Sequence, residues 1–228
     1  MRLHQRRHRH RRRRRRRRVI EETQLTTGEE LRTQFGDIDI YLFDQILRGR
    51  FDSRSRVLDA GCGDGRNLVY LLQHGFECYG VDSEPTAVDV IRRLASRLAP
   101  DLPATNFAVA DVARLPHPDG HMHAVICSAV LHFAQDEDHF TAMVTEMWRV
   151  LARGGLFFAR LASNIGLEAV VGPAGRQVRL PDGSDRFLVD ESMLLHLTGR
   201  LGGRLADPIK TTNVQGKRCM TTWCLIRE

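Results

Sequence analysis

A glycine-rich turn between a buried strand and a helix is the segment of this sequence best suited to chemistry. It reads Val-Leu-Asp-Ala-Gly-Cys-Gly-Asp-Gly over residues 57–65. Glycine allows a tight turn and lets a ligand approach the backbone closely, and the start of the following helix offers free N–H groups. Asp82 ends the next predicted strand, followed by Ser83. A carboxylate there can accept both hydroxyls of a ribose, so the pattern predicts a nucleotide-type site at the carboxyl ends of parallel strands.

Two classes of cofactor use such a site. A dinucleotide requires the spacing G-x-G-x-x-G, with the pyrophosphate over the start of the helix. Here the third glycine comes one residue early, as G-x-G-x-G. Asp59 and Asp64 also place acid beside the turn, which repels a pyrophosphate and suits the ammonium group of an amino acid. The spacing therefore favours S-adenosylmethionine over NAD, although an acid for the ribose is common to both classes.

The elements that must position these residues alternate between strands and helices. Apolar runs predict strands over residues 56–60, 76–81, 107–110, 123–128 and 156–161. Between them the apolar residues recur at helical spacing, and a helix is also predicted over 191–201. This alternation predicts a doubly wound, Rossmann-like α/β domain with a mostly parallel sheet.

The two ends of the domain are predicted to differ from this alternation. Thr27 and Glu30 predict a capping box that opens a short helix, and Asp37 is predicted to cap a second helix over 38–48. Residues 163–188 are predicted to be irregular. The runs 206–212 and 220–227 are joined by too few residues for a crossover helix, so they are predicted to pair antiparallel and to complete a seven-stranded sheet.

Charge is distributed unevenly along the 228 residues. The formal net charge is +6, but residues 1–18 contain 12 arginines and no acid, so residues 19–228 carry 22 basic against 28 acidic residues. We therefore predict a disordered tail over 1–18 and one globular domain over 19–228. The tail could contact nucleic acid without sequence preference through counterion release, or it could be an extension with no part in the domain.

The remaining composition predicts a cytoplasmic protein without a metal centre. The sequence contains no apolar run long enough to cross a membrane and no secretory signal. The cysteines form no CxxC pair, so buried free thiols in a reducing compartment are predicted. Three closely spaced histidines lack further ligands and are predicted not to bind metal. These histidines are His117, His121 and His123.

The sequence resembles the class I S-adenosylmethionine-dependent methyltransferases over about residues 37–228. The matching motifs are Val57 to Gly65, Asp82, Asp111-Val112, Ala124 to Phe133, Arg149 to Gly155 and the terminal strand pair. Gly65-Arg66-Asn67 further resembles the tellurite-resistance and thiol methyltransferase branch. The resemblance implies a role in binding S-adenosylmethionine for Asp59, Gly61, Gly63, Asp82, Ser83, Asp111, Val112 and Ser128.

The resemblance further implies that the methyl acceptor is a small molecule, methylated on oxygen, nitrogen or sulfur. After strand four the chain reads Ser-Ala-Val-Leu from Ser128, and not the Asn/Asp-Pro-Pro-Tyr/Phe of enzymes that methylate amino groups of bases or glutamine. His132 follows and is a candidate general base, with a packed loop histidine as the alternative. Tyr41 and Phe43 could cover the acceptor or simply pack in the core, and Arg160 could hold an anionic acceptor or lie at the surface.

Three other functions remain open on the sequence alone. The arginine tail could dock a methyltransferase on RNA or protein. The glycine turn could belong to an NAD-type oxidoreductase, although its spacing disfavours this. The protein could also be a non-catalytic nucleic-acid binder, which the acidic body disfavours because a nucleic-acid groove is normally basic.

Overall fold

The computed structural model describes residues 27–52, 55–171 and 176–228. The predicted tail over 1–18 and the predicted domain boundary at residue 19 lie outside these ranges. The chain divides into a short unit that ends at Gln34 and a compact unit from Phe35 to Glu228.

Helix α1, Gly28–Phe35, begins with the predicted capping box. The backbone N–H of Thr27 donates to Oε2 of Glu30 at 2.6 Å, and the N–H of Glu30 donates to Oγ1 of Thr27 at 3.2 Å. These reciprocal bonds satisfy two N–H groups that a helix start otherwise leaves free. The prediction of a capping box is confirmed.

A mixed sheet of eight strands forms the centre of the second unit, in the order β3-β2-β1-β4-β5-β10-β8, with β9 also paired to β10. Its parallel strands are β1 Arg56–Ala60, β2 Glu77–Asp82, β3 Phe107–Val109, β4 Met122–Ser128 and β5 Leu151–Ser163. Its antiparallel strands are β8 Gly203–Leu205, β9 Lys210–Val214 and β10 Arg218–Arg227. The predicted doubly wound fold with a C-terminal antiparallel hairpin is confirmed.

Helices cover both faces of this sheet. They are α2 Ile40–Leu47, α3 Val69–Gln73, α4 Pro85–Leu98, α5 Glu137–Val150, α6 Glu168–Val171 and α7 Glu191–Arg200, with 3₁₀ turns at Ala104–Asn106 and Leu131–Phe133. Alternate residues of a strand point to opposite faces, and β1 shows this. Leu58 and Ala60 join the core cluster that contains α5, whereas Val57 joins the cluster that contains α3 and α4.

The second helix begins two residues later than predicted. Asp39, and not Asp37, is the N-cap, and its carboxylate accepts a hydrogen bond from the N–H of Tyr41 at 2.9 Å. Both aspartates precede the same apolar run, so local sequence fits either one. The difference is tertiary, because the N–H of Asp39 donates to Oδ1 of Asn67 at 3.1 Å.

The edge of the sheet has one more strand than predicted. The run 206–212 was expected to form a single strand, but the chain leaves the sheet after β8 and rejoins it at β9. Pro208 lies in this break and has no N–H to donate to the ladder. Asp207, next to Pro208, forms an ion pair with Arg50, in which Oδ2 of Asp207 lies 2.9 Å from Nη1 of Arg50.

The segment 163–188 is more ordered than predicted. It contains α6 and a small antiparallel hairpin of β6 Gln177–Arg179 and β7 Asp185–Phe187. Strands of three residues are too short to show a period of two, and polar residues dominate both. Strand β5 also begins earlier than predicted, because it continues through Gly154, whose φ is +76°.

The five cysteines are buried free thiols. No helix among the described residues is long and apolar enough to cross a membrane. The same residues contain no cluster of three or more His, Cys, Asp or Glu side chains suited to a metal ion.

Candidate cofactor site

The glycine turn after β1 is fixed to the end of β2. Gly61, Gly63 and Gly65 have φ angles of +81°, +52° and +83°, a conformation that other residues adopt only with strain. The N–H groups of Gly61 and Cys62 donate to the carbonyl of Val81 at 2.8 and 2.9 Å. The turn is therefore a defined backbone structure and not a loose loop.

The three glycines differ in what surrounds them. A Cβ on Gly61 would lie 2.3 Å from Cγ2 of Val130, and one on Gly65 would lie 2.1 Å from Cδ1 of Ile91. Close packing therefore demands glycine at these two positions. A Cβ on Gly63 would meet nothing within 4 Å, so the turn faces open space there, as close approach by a ligand requires.

Asp82 connects the ends of the first two strands. Its Oδ2 accepts a hydrogen bond from the N–H of Gly63 at 2.9 Å, and its Oδ1 accepts from the N–H of Glu84 at 3.0 Å. A carboxylate has about four acceptor positions, so the two backbone bonds leave capacity for ligand hydroxyls. The same bonds hold the carboxylate in place before any ligand arrives.

A cavity of about 450 Å³ lies at the carboxyl ends of the parallel strands. Of the eight residues predicted to bind cofactor, Asp59 and Gly63 are not in its described lining, and the other six line it: Gly61, Asp82, Ser83, Asp111, Val112 and Ser128. The fold thus brings together residues that are spread over four strand ends in the sequence. The lining also includes residues that the sequence analysis did not assign to a site, namely Ala110, Ala129, Val130, Phe133, His139 and Met143.

Asp59 is the most unusual ionisable group near this cavity. It is 1% exposed, and neither of its carboxylate oxygens has a hydrogen-bond partner within the described chain. Burial raises the pKa of Asp59 to about 7, an effect that the charge of Arg66 and the side chain of Asn67 partly oppose. A buried carboxylate without partners is costly, and a cation placed beside it would relieve that cost.

A polar network that the sequence did not predict lies behind Ser128. Nη2 of Arg66 donates to Oγ of Ser128 at 3.1 Å, and that hydroxyl lies 3.4 Å from Oδ2 of Asp39. Asp39 also forms an ion pair with Nε of Arg160 at 3.1 Å. These residues come from α2, the turn after β1, and the ends of β4 and β5. No local motif marks Asp39, whereas Arg66 directly follows the glycine turn.

Tyr41 and Arg160 belong to this network, and Phe43 does not. The guanidinium of Arg160 lies over the ring of Tyr41, 4.5 Å from its centroid, and the Tyr41 hydroxyl lies 2.7 Å from Oγ1 of Thr212. The side chain of Arg160 is only 16% exposed. Phe43 packs edge-on against Phe35 at 4.9 Å. All three predicted acceptor residues lie outside the described lining of the 450 Å³ cavity.

His132 lies in the 3₁₀ turn after β4 and is 5% exposed. Its Nδ1 is buried and has no hydrogen-bond partner among the described residues. Burial, with a smaller effect from Arg186, lowers the pKa of His132 to about 4. The imidazole is therefore neutral near pH 7, and its neighbour Phe133 lines the cavity in its place. A role as general base stays a prediction.

Residues 57–155 match the family described as a methyltransferase domain. The chain is 34% identical over 76 residues to a 2-heptyl-1-hydroxyquinolin-4(1H)-one methyltransferase of Mycobacteroides abscessus, a match that covers 33% of each protein. It is 29% identical over 124 residues to a malonyl-[acyl-carrier protein] O-methyltransferase of Serratia marcescens, covering 54% of this chain and 44% of that protein. The chain thus matches less than half the length of these relatives.

Solved structures share the fold at low sequence identity. The magnesium protoporphyrin IX methyltransferase of Synechocystis, solved with bound S-adenosylhomocysteine, has a TM-score of 0.63 at 18% identity and covers 92% of each chain. The 1,6-didemethyltoxoflavin-N1-methyltransferase of Burkholderia thailandensis also has a TM-score of 0.63, at 19% identity, covering 88% of this chain and 82% of that one. The matched methyltransferase domain over residues 57–155, the strand order and the glycine turn together support membership of the class I S-adenosylmethionine-dependent methyltransferase family.

Proposed function

We propose that this protein transfers a methyl group from S-adenosylmethionine to a small-molecule acceptor. One observation carries the proposal: the cavity of about 450 Å³ is lined by the glycine turn after β1 and by the ends of β2 and β4. In open α/β sheets, ligands bind outside the carboxyl ends of the strands, where the strand order reverses. Here β1 and β4 are sheet neighbours at that position.

The residues around this cavity fit each part of the cofactor. The open space beside Gly63 suits the methionine portion, and the buried carboxylate of Asp59, two residues before Gly61, suits its ammonium group. The remaining acceptor capacity of Asp82 suits the ribose hydroxyls. Asp111 and Val112 also line the cavity, where the Asp111 carboxylate suits the adenine amino group and the Val112 N–H suits a ring nitrogen.

When bound, S-adenosylmethionine supplies a methyl group on a sulfonium, which a nucleophile on the acceptor displaces in line. The protein then has to align the two reactants, and alignment alone can supply much of the acceleration. Ser128 is held by Arg66 and Asp39 at the end of β4, so this edge of the cavity is rigid. Phe133 and Met143 give the cavity an apolar side, and because Phe133 is 60% exposed, an acceptor packed against it would displace water from the site.

Proton removal is required only if the acceptor is protonated. His132 is the candidate base, and its low pKa keeps it unprotonated over the whole neutral range. A base with so low a pKa drives proton transfer weakly, so its best partner is an acidic acceptor such as a phenol or a thiol. An acceptor that is already ionised would need no base.

A small acceptor is supported by the relatives. The matched proteins from Mycobacteroides abscessus and Burkholderia thailandensis are named for a hydroxyquinolone and a didemethyltoxoflavin, both small heterocycles. Strand β4 also lacks the proline pair of enzymes that methylate amino groups of bases or glutamine.

Macromolecular acceptors remain the competing proposal, because 12 arginines in residues 1–18 could dock RNA. A chain that starts at Val19 distinguishes the two. It should retain binding of S-adenosylhomocysteine and turnover of a small acceptor, while weak, salt-sensitive binding of nucleic acid is lost. Methylation that occurs only on RNA or protein, and that disappears with residues 1–18, would contradict the proposal.

The direct test of the activity is a transfer assay with labelled S-adenosylmethionine against panels of small phenols, thiols and heterocyclic amines. Release of S-adenosylhomocysteine should depend on the acceptor and should fall in Asp82→Ala. Exposed Asp101 gives the matched control variant Asp101→Ala, which should retain wild-type turnover.

A further inference from the structure

Buried polar atoms without hydrogen-bond partners are concentrated on one face of the sheet. Within the described chain they include both oxygens of Asp59, Nη1 of Arg160 and Oγ1 of Thr222. Side chains alternate between faces along a strand. By that alternation these three residues share the face of Val57, Phe158 and Cys224, which pack in one core cluster. The unsatisfied groups therefore lie in one layer, below α2.

The guanidinium of Arg160 is fixed in an orientation that leaves its Nη1 without a hydrogen-bond partner in the described part of the chain. Its Nε pairs with Oδ2 of Asp39 at 3.1 Å, and its Cζ lies 4.5 Å from the centre of the Tyr41 ring. Asp39 is itself fixed as the cap of α2. The guanidinium thus cannot turn without breaking an ion pair, and the buried Nη1 stays without an acceptor.

The hydroxyl of Thr222 is a second donor without a partner in the ranges that the structure describes, and it lies near Nη1 of Arg160. It is directly opposite Arg160 in the antiparallel pairing of β5 with β10, a position that brings Cβ atoms to about 5 Å. Thr222 is 7% exposed, and its hydroxyl is unpartnered. The adjacent Thr221 differs, because its hydroxyl lies 2.6 Å from that of Ser163 and 2.7 Å from that of Thr211.

Two cations, Arg160 and Lys210, lie against the ring of Tyr41 beside these donors. Lys210 is opposite Thr222 in the pairing of β9 with β10, and its Nζ lies 5.4 Å from the centre of the Tyr41 ring. Arg160 adds a second cation on that ring, and Asp39 offsets one of the two. A planar anion with two oxygens can accept one hydrogen bond from the guanidinium and a second from the hydroxyl.

We propose that Nη1 of Arg160 and Oγ1 of Thr222 bind a carboxylate of the methyl acceptor, and that the acceptor is a small carboxylic acid anchored through that group. This inference rests on the proposed function. Arg160 is opposite Ser128 in the pairing of β4 with β5, and Ser128 lines the cofactor cavity. The anchor therefore lies one strand away from the cavity, with the aromatic ring of Tyr41 as its cover.

Acetate is the probe, because it is the smallest carboxylate with a methyl group and acetamide is its neutral match. The full chain, saturated with S-adenosylhomocysteine, is titrated with each at constant ionic strength while the Nε–Hε resonance of Arg160 is followed by NMR. Acetate should shift this resonance saturably, and acetamide should not. Thr222→Val should weaken acetate binding about tenfold, the usual effect of one hydrogen bond to a charged group.

Thr222→Val also separates binding from structure. Removing a buried hydroxyl without a partner should leave the melting temperature unchanged or raised, so lower affinity without lower stability identifies a ligand contact. Arg153→Gln, at the exposed start of β5, is the control and should bind acetate as the wild type does. Arg160→Gln removes the Arg160 resonance, so acetate binding to this variant is followed through the Nε–Hε resonance of Arg66. That resonance should not respond to acetate in Arg160→Gln.

Several results would overturn the inference. They are an Arg160 resonance that acetate does not move, equal shifts with acetate and acetamide, and unchanged acetate binding or a lower melting temperature in Thr222→Val. Failure of the proposed function has a different signature. If S-adenosylhomocysteine does not bind but acetate still shifts Arg160, the carboxylate subsite stands and its assignment to a methyl acceptor falls.

Discussion

Oδ2 of Asp82 accepts a hydrogen bond from the backbone N–H of Gly63 at 2.9 Å. The acid that ends the second strand thus holds the glycine turn that follows the first. Sequence patterns assign these two residues to different parts of a nucleotide-type ligand, the ribose and the amino-acid portion. In the structure they are one unit, so a change in either residue is expected to affect both parts of the site.

Substitution of Asp82 should weaken both parts of the site at once. Asp82→Ala removes the acceptor for Gly63 and for the ribose, and should weaken binding of S-adenosylhomocysteine by about 1.5–3 kcal/mol for each lost charged hydrogen bond. Asp82→Asn keeps one side-chain oxygen as an acceptor and should bind with intermediate affinity. Calorimetry gives the affinities, with Asp101→Ala as the control. Wild-type affinity in Asp82→Ala would rule out the proposed cofactor site.

Gly63 and Gly65 form a matched pair of test positions. Gly65→Ala places a Cβ 2.1 Å from Ile91, so it should lower the free energy of unfolding by about 1–3 kcal/mol through overpacking. Gly63→Ala meets no atom within 4 Å and should cost only about 1 kcal/mol of backbone strain. Its new methyl group nevertheless enters the space assigned to the cofactor. Thermal melts should therefore show that Gly65→Ala is the less stable variant. Calorimetry should show that Gly63→Ala loses affinity for S-adenosylhomocysteine although it loses less stability.

Asp59 should make cofactor binding depend on pH. Burial raises its pKa to about 7, so much of it is protonated below neutral pH, and only the ionised form attracts the ammonium group. Affinity for S-adenosylhomocysteine should therefore rise with pH up to about 7 and then level off, with proton release on binding. Because the folded pKa lies above the ordinary value near 4, this group disfavours the folded state increasingly as pH rises from 4 to 7.

Asp59→Asn tests both effects together. Affinity should become lower and nearly independent of pH between 5 and 8, while the melting temperature at pH 8 should be unchanged or raised. Asp64→Asn, at an exposed position of the same turn, is the control. If the pH dependence of affinity persists in Asp59→Asn, Asp59 does not carry it.

The pH at which activity falls on the acid side should show whether His132 is the general base. If it is the general base, the rate should decrease as pH drops through about 4, its lowered pKa, and not near the ordinary value of about 6.5. His132→Ala should then reduce kcat about 10²-fold, with exposed His196→Ala as the control. A thiol acceptor that ionises in solution would instead give a limb near about 8.5 and little response to His132→Ala.

Sequence alone predicts well those parts of the molecule that depend on neighbours along the chain. The glycine turn, the strand-end acid Asp82 and the capping box of α1 each follow from residue types at fixed short spacing. The alternation of apolar runs likewise predicts the sheet and its C-terminal hairpin. These features depend on local backbone geometry and on burial, and both leave a pattern within a few residues.

The parts that sequence did not predict depend on contacts across the fold. Asp37 and Asp39 are equivalent as caps until Asn67, from another element, binds the backbone of Asp39. Arg160 pairs with Asp39, 121 residues away, and lies opposite Thr222, 62 residues away, in the sheet. The break at Pro208 and the short hairpin of β6 and β7 are likewise too small to leave a periodic pattern.

Calorimetric titration of the full chain with S-adenosylhomocysteine and, separately, with NADH tests most directly which cofactor the cavity binds. S-adenosylhomocysteine should bind at one site per chain, Asp82→Ala and Gly63→Ala should weaken this binding, and NADH should give no comparable heat. Saturable binding of NADH with no response to S-adenosylhomocysteine would contradict this prediction.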